Sequence, residues 1–204
     1  MWTYIKMLEF PVNIKTTNAA LATAIMSQLG GPDGEKGASV RYLSQRYAMP
    51  DKRIVGVLTD IGTEELGHEE MVAAIITQLT KNLTMDEIEK SGFYQYYVDH
   101  TTGIYPQAAS GVPFSAATLQ STGDPIADLH EDLAAEQKAR LTYDNILRLS
   151  KDEPDVYEAI KFLRASEMVH YQRFGESLRM MQDNLDSKNF YAFNPAFDKG
   201  ATCI

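Results

Sequence analysis

The sequence predicts an all-α protein whose helices form a four-helix bundle. Apolar residues recur at helical spacing over several long stretches, and Gly or Pro residues separate these stretches. The chain has 204 residues, of which 44% are hydrophobic and 23% are charged, a composition typical of one globular domain. We therefore expect a single domain over residues 1–204, with a bundle core at about 17–186 and an extended tail at 187–204.

The first bundle helix is predicted in two pieces, and the second is continuous. Thr and Asn residues at positions 16–18 can cap an Ala-rich run that ends at Gly30-Gly31-Pro32, and the helical pattern resumes at Gly34. Pro50-Asp51 then opens a helix of about 30 residues that continues to Leu79.

The third and fourth helices follow a long connection. Asp124-Pro125 opens the third helix, with Leu141 among its expected inward positions, and Pro154 opens the fourth. Residues 93–123 between the second and third helices are rich in aromatic residues, Gly, Pro and Ser. We expect this stretch to be a crossover without regular structure that links two antiparallel helix pairs.

Charge and cysteine content exclude several classes of function. The formal net charge of −9 makes nucleic acid an improbable partner. The single cysteine, Cys203, excludes an intramolecular disulfide and a thiolate zinc site. The sequence contains neither an apolar run long enough to span a membrane nor an apolar leader at its N-terminus. We therefore expect cytoplasmic synthesis without a signal peptide.

The same four-residue motif occurs in the second and fourth predicted helices. Glu65 and His68 form one E-x-x-H sequence, and Glu167 and His170 form another. Residues three apart lie about 60° apart around a helix axis, so each Glu and His point into the same space. A further glutamate precedes each motif: Glu35 by 30 residues and Glu136 by 31.

This twofold arrangement predicts a ferritin-like dinuclear metal site. Bridging carboxylates screen the repulsion between two divalent cations, and a set of carboxylate and imidazole ligands suits Mn or Fe better than Cu or Zn. The other acidic residues beside the first motif, Glu64, Glu69 and Glu70, fall on other faces and are expected to be solvated. The remaining histidines, His100 and His130, are expected to be structural or exposed.

At these residues the sequence resembles the manganese catalases, in particular the short members associated with bacterial spore coats. The resemblance covers about residues 1–185. Its most specific strings are Gly30-Gly31-Pro32-Asp33-Gly34-Glu35 and the Thr-Glu-Glu-x-x-His sequence at 63–68; further matches are 42–45, 111–129, 136–141 and 167–174.

The resemblance implies which residues bind metal. Two Mn ions per subunit would be held by Glu35, Glu65, His68, Glu136 and His170. Glu167 would be an outer carboxylate that shuttles protons, whereas the general ferritin-like arrangement would make it a sixth ligand.

The resemblance also implies an outer hydrogen bond and a departure from the family. Tyr42, seven residues after Glu35, would hydrogen-bond to that ligand. Ala135 stands where some longer members carry an arginine that reaches the metal cluster.

The implied activity is the disproportionation of hydrogen peroxide to dioxygen and water. The resemblance also implies a homo-oligomer, which is a hexamer in the family. The spore coat is the expected location. Two alternatives remain open from the sequence. One is a ferritin-like di-iron oxidase or storage protein, because the same ligands bind iron. The other is a mainly structural coat protein that contacts other coat proteins, a role that exposed aromatic residues favour.

Overall fold

The computed structural model describes residue 3, residue 5, residues 7–101 and residues 103–188. Residues 187 and 188, which the sequence assigned to the extended tail, belong to the last described helix. The rest of the predicted tail, from residue 189 onward and including Cys203, lies outside the described residues. The helices are α1 (Ala19–Gly30), α2 (Glu35–Gln45), α3 (Lys52–Leu79), α4 (Met85–Ser91), α5 (Tyr94–His100), α6 (Pro125–Leu149) and α7 (Pro154–Lys188), with one 3-10 helix at Ala116–Thr118. The protein is therefore all-α, as predicted.

The long helices begin at the capping residues that the sequence indicates. The Asn18 side chain accepts a hydrogen bond from the Leu21 backbone N–H at 3.0 Å. Asp51 accepts one from the Arg53 backbone N–H at 2.8 Å, and Asp124 caps α6, which has a proline in its first turn. These bonds satisfy backbone donors that a helix leaves unpaired at its N-terminus.

The break between α1 and α2 lies where the chain crosses α1 at close range. A Cβ atom at Gly30 would lie 2.1 Å from the backbone N of Gln107 and 2.2 Å from the carbonyl carbon of Pro106. Only glycine permits this approach of two backbones. The break places Glu35 in the first turn of α2, at the start of a new helix.

The connection between α3 and α6 contains more regular structure than the sequence predicted. Tyr94 to His100 form α5, and the 3-10 helix follows later in the connection. Phe93 and Tyr96 are buried at 2% and 1% exposure, and they belong to a core cluster with residues of α1, α3, α6 and α7. The aromatic residues of this connection are thus partly a hydrophobic anchor, which explains why a short helix is stable there.

The hydrophobic core has two parts that lie on either side of a polar centre. On α3, the apolar side chains of one part end at Ile61, and those of the other begin at Met71. On α7, Leu163 belongs to one part and Phe174 to the other. Each fully buried side chain of this size stabilises the fold by roughly 1.5–3 kcal/mol, which offsets the cost of burying polar groups between them.

The inward face of α6 differs in one position from the prediction. Leu141 is 51% exposed, whereas Tyr143 is fully buried. Leu141 is five residues after the buried Glu136, which places it about 140° away around the helix axis.

Along the described residues, no helix combines the length and the apolar character needed to cross a membrane.

Candidate metal centre

The structure brings together the four Glu and His residues of the two E-x-x-H motifs and the two glutamates that precede them, six residues in all. Glu35 comes from α2, Glu65 and His68 from α3, Glu136 from α6, and Glu167 and His170 from α7. Each is buried, with at most 2% of its surface exposed. Four helices therefore direct four carboxylates and two imidazoles into one enclosed space between the two parts of the core.

Glu65 lies at the middle of this centre. One of its oxygens, Oε2, lies 2.9 Å from Nδ1 of His68, and the other, Oε1, lies 2.9 Å from Nδ1 of His170. The two imidazole rings are nearly parallel, with centroids 5.6 Å apart. A carboxylate whose two oxygens face two different imidazoles is arranged to bridge two cations.

Each histidine has its own additional carboxylate. Oε2 of Glu35 lies 3.8 Å from Nδ1 of His68, and Oε2 of Glu136 lies 3.5 Å from Nδ1 of His170. The centre thus consists of two similar halves that share Glu65. This geometry corresponds to the repeat of a lone glutamate and an E-x-x-H motif in the sequence.

Each half contains a glutamate that bonds to a buried tyrosine. The hydroxyl of Tyr42 donates a hydrogen bond to Glu136, and the hydroxyl of Tyr143 donates one to Glu35. The expectation that Tyr42 bonds to Glu35 is therefore wrong. Positions seven residues apart on one helix are about 10.5 Å apart along its axis, and α6 places Glu136 at the level of Tyr42.

Sequence reasoning missed Tyr143, although a signal was present. Tyr143 follows Glu136 by seven residues, the same spacing by which Tyr42 follows Glu35. The tyrosine belongs to the repeated module as much as the glutamate does, and each tyrosine bonds to the glutamate of the other module.

The polar atoms of the centre are suited to hold cations. Six buried atoms here form no hydrogen bond of acceptable geometry among the described residues, although charged neighbours lie close to some of them: Oε1 of Glu65, Nε2 of His68, Oε2 of Glu136, Oε1 of Glu167, and both ring nitrogens of His170. Buried polar groups ordinarily have partners, and buried carboxylates are stable only when they are paired or bind metal. A set of oxygen and imidazole ligands fits Mn or Fe.

Electrostatics within the centre shift the pKa of its acids in opposite directions. Burial, and then the neighbouring Glu65, raise the pKa of the Glu35 carboxyl well above its usual range. Burial and the charges of Glu136 and Glu35 do the same for Glu167. Burial by itself would raise the pKa of Glu65, but the facing His170 and His68 bring it below its usual range. The ionised form is therefore favoured more at Glu65 than at Glu35 or Glu167.

Glu167 lies within the group of potential ligands. Glu65, His68, Glu167 and His170 each have a ligand atom, and these four atoms lie within 4.8 Å of one another. Glu167 therefore reaches the space that a cation would occupy.

Two carboxylates outside the six also contact the histidines. Oε2 of Glu64 lies 3.4 Å from Nε2 of His170, so Glu64 is not simply the solvated charge that the sequence suggested. Oε2 of Glu9 lies 3.5 Å from Nε2 of His68, a contact for which the sequence offered no signal. Glu69 instead forms an ion pair with Lys36.

The other two histidines have no part in the centre. The ring of His100 stacks on that of Tyr105, with centroids 4.0 Å apart. His130 lies exposed on α6. Both observations agree with the expectation from the sequence.

The fold and the centre define a ferritin-like helical bundle with a carboxylate and histidine dimetal site. Comparison with known proteins identifies the family. The profile of the family described as "Manganese containing catalase" matches residues 1–191, and the chain belongs to this family.

Individual relatives agree with this assignment. The chain is 46% identical to Protein CotJC of Bacillus subtilis (strain 168) over 191 residues, which cover 94% of this chain and 100% of that protein. It is 34% identical to a probable manganese catalase of Clostridium acetobutylicum over 88% of this chain and 79% of the relative. The crystal structure of KatB, a manganese catalase from Anabaena PCC7120, superposes with a TM-score of 0.81 at 30% identity, covering 89% of this chain and 81% of KatB.

Proposed function

We propose that the protein is a dinuclear manganese catalase, which converts two molecules of hydrogen peroxide to dioxygen and two of water. The observation that carries the proposal is the position of Glu65 between two buried imidazoles, each with its own second carboxylate. Membership of the manganese catalase family supports both the metal and the reaction.

Five residues would hold the metals. Glu35 and His68 would serve one Mn ion, Glu136 and His170 the other, and Glu65 both. When bound, the pair of Mn ions supplies the two-electron redox change that alternately oxidises and reduces peroxide. The tyrosine hydroxyls keep one oxygen of Glu35 and one of Glu136 occupied, so each of these carboxylates would have its other oxygen free to hold a metal.

Glu167 is proposed as the group that moves protons. Oxidation of peroxide to dioxygen releases two protons and two electrons, and reduction of a second peroxide to two waters consumes them. Glu167 is buried on the same face as His170, and its Oε1 has no hydrogen-bond partner among the described residues. It would hold one of the two protons between the half-reactions, shielded from bulk water by its burial, while the other is released to solvent and taken up from it again.

Assembly and location belong to the same proposal. We propose a homo-oligomer, a hexamer by family resemblance, that is placed in a spore coat together with other coat proteins. The similarity to Protein CotJC over that protein's whole length supports grouping this chain with the short family members. Size-exclusion chromatography with light scattering tests the oligomer. Recovery of the protein in the insoluble coat fraction of spores tests the location.

The decisive experiment measures metal and activity on one sample. Protein is produced with Mn and Fe both supplied, analysed for metal content, and assayed for dioxygen evolution from peroxide. About two Mn per chain together with dioxygen release supports the catalase. Two Fe per chain without dioxygen release would replace it with a di-iron oxidase or storage protein. A chain that binds no metal would leave a mainly structural role.

A further inference from the structure

The outer ring nitrogen of each histidine faces a carboxylate outside the metal centre. Nε2 of His68 lies 3.5 Å from Oε2 of Glu9, and Nε2 of His170 lies 3.4 Å from Oε2 of Glu64. Both nitrogens are buried and lack a closed hydrogen bond among the described residues. The inner nitrogens, Nδ1, face Glu65 in both cases.

The chemistry of imidazole explains why these contacts matter. A neutral imidazole that binds a metal through one nitrogen carries its proton on the other, and a buried N–H group needs an acceptor. A carboxylate on the outer nitrogen selects the protonation state in which Nδ1 is free to bind metal, and it holds the ring in orientation.

We infer that Glu9 and Glu64 are positioning residues of the metal centre, which accept the Nε2 protons of His68 and His170 and so fix Nδ1 as the ligand atom. This inference rests on the dimetal centre of the proposed function. The separations of 3.4 and 3.5 Å are longer than a typical hydrogen bond of about 2.9 Å, and they are expected to shorten when the metal orients the rings.

The two contacts are made by different parts of the chain. Glu64 and Glu65 are consecutive on α3, and each faces one nitrogen of His170, so the ring is held from both sides by one helix. Glu9 belongs to the segment before α1, where it lies in a bend. The two contacts therefore connect α3 to α7 and the N-terminal segment to α3.

Gly67 makes room for Glu9. A Cβ atom at position 67 would lie 2.8 Å from Oε1 of Glu9, although Gly67 is inside α3, where glycine is unfavourable. Gly56 is also inside α3, and a Cβ atom there meets nothing within 4 Å. Gly67→Ala would therefore displace Glu9, whereas Gly56→Ala would not. Both substitutions give the same gain in helix propensity, so Gly56→Ala is the matched control.

The test measures the affinity of the purified protein for Mn(II) by competition with a chelator, with free Mn(II) read by electron paramagnetic resonance. The variants are Glu9→Leu, Glu64→Leu, Glu9→Gln, Glu64→Gln, Gly67→Ala and the control Gly56→Ala. We expect each leucine variant to weaken one of the two Mn(II) sites by roughly 10- to 100-fold. Glutamine retains an acceptor oxygen, so the glutamine variants should recover most of this loss. Gly67→Ala should weaken binding, and Gly56→Ala should not.

Three results would overturn the inference. Leucine variants that bind two Mn(II) as tightly as the wild-type protein would show that the outer contacts do not position the rings. Glutamine variants as weak as leucine variants would show that Glu9 and Glu64 act through negative charge instead of accepting a proton. A wild-type protein that binds no Mn(II) would refute the proposed function and the inference together, so the two failures are distinguishable.

Discussion

Replacement of Tyr143 by phenylalanine removes one defined interaction of the metal centre. The Tyr143 hydroxyl donates a hydrogen bond to Glu35, and the residue is fully buried. Phenylalanine preserves the ring and its packing, so the loss is confined to the hydroxyl and its hydrogen bond.

The magnitude follows from the charge of Glu35 in the two states. Burial raises the pKa of Glu35, which favours the neutral carboxyl in the metal-free protein, and a hydrogen bond to a neutral group contributes about 0.5–1.5 kcal/mol. A bound cation ionises Glu35, and a hydrogen bond to a charged group contributes about 1.5–3 kcal/mol. The difference of roughly 1.5 kcal/mol corresponds to about a tenfold loss of Mn(II) affinity. The metal-free protein should unfold about 2–4 °C lower.

Two measurements check this prediction: Mn(II) affinity by chelator competition, and thermal unfolding of the metal-free protein by circular dichroism. Tyr94→Phe serves as the control, since Tyr94 is 56% exposed. Tyr42→Phe should also weaken Mn(II) binding, because the Tyr42 hydroxyl donates a hydrogen bond to Glu136. Unchanged Mn(II) affinity in Tyr143→Phe would refute the reasoning. It would mean that the hydroxyl does not distinguish ionised Glu35 from neutral Glu35.

Three further predictions concern the backbone, the proton carrier and pH. Gly30→Ala should destabilise the protein by roughly 3 kcal/mol, because the new Cβ atom would lie 2.1 Å from the nearest backbone atom. Gly56→Ala should stabilise the protein by about 0.5–1 kcal/mol, because a Cβ atom there meets nothing within 4 Å and alanine favours the helix. Urea unfolding of the metal-free variants measures both changes. Glu167→Gln should retain two Mn per chain but evolve dioxygen about 100-fold more slowly, and full activity in this variant would contradict the proton role. Mn(II) affinity should rise with pH. Burial by itself lowers the pKa of His68 and His170, but Glu65 and nearby carboxylates raise both pKa values above the usual value. Protons on the imidazoles therefore compete with Mn(II) until the pH is high enough to remove them. Chelator competition over a series of pH values tests whether the affinity rises with pH.

The fold was predictable because its signals are local. Helix caps at Asn18, Asp51 and Asp124, and the apolar periodicity between them, depend on residues within a few positions of one another. The connection between α3 and α6 was less predictable. Phe93 and Tyr96 are stable in and beside a short helix because they pack against α1, α3 and α7, and such distant contacts leave no local pattern.

The candidate metal centre likewise has features that were predictable from the sequence and features that were not. The two E-x-x-H motifs and the preceding glutamates identify a dimetal site because helical spacing itself directs each Glu and His into the same space. The partner of each tyrosine depends on how α2 and α6 lie against each other, so the Tyr42 contact was assigned to the wrong glutamate. The contacts of Glu9 and Glu64 depend on the orientation of the imidazole rings, which turns Nε2 of His68 toward Glu9 and Nε2 of His170 toward Glu64. This orientation is set by packing and leaves no pattern in the sequence.

The sequence by itself thus determined the long helices and the twofold repeat of a glutamate and an E-x-x-H motif, because both are encoded in the spacing of residues along a helix. The resemblance to the family was carried instead by specific residue strings such as Gly30-Gly31-Pro32-Asp33-Gly34-Glu35. Only the tertiary structure decided that Glu65 lies between both histidines, that the tyrosines bond across the bundle, and that Glu9 reaches His68 over Gly67. These contacts join helices that are distant in the chain. Their geometry is set by the packing of the two hydrophobic core parts on either side of the centre.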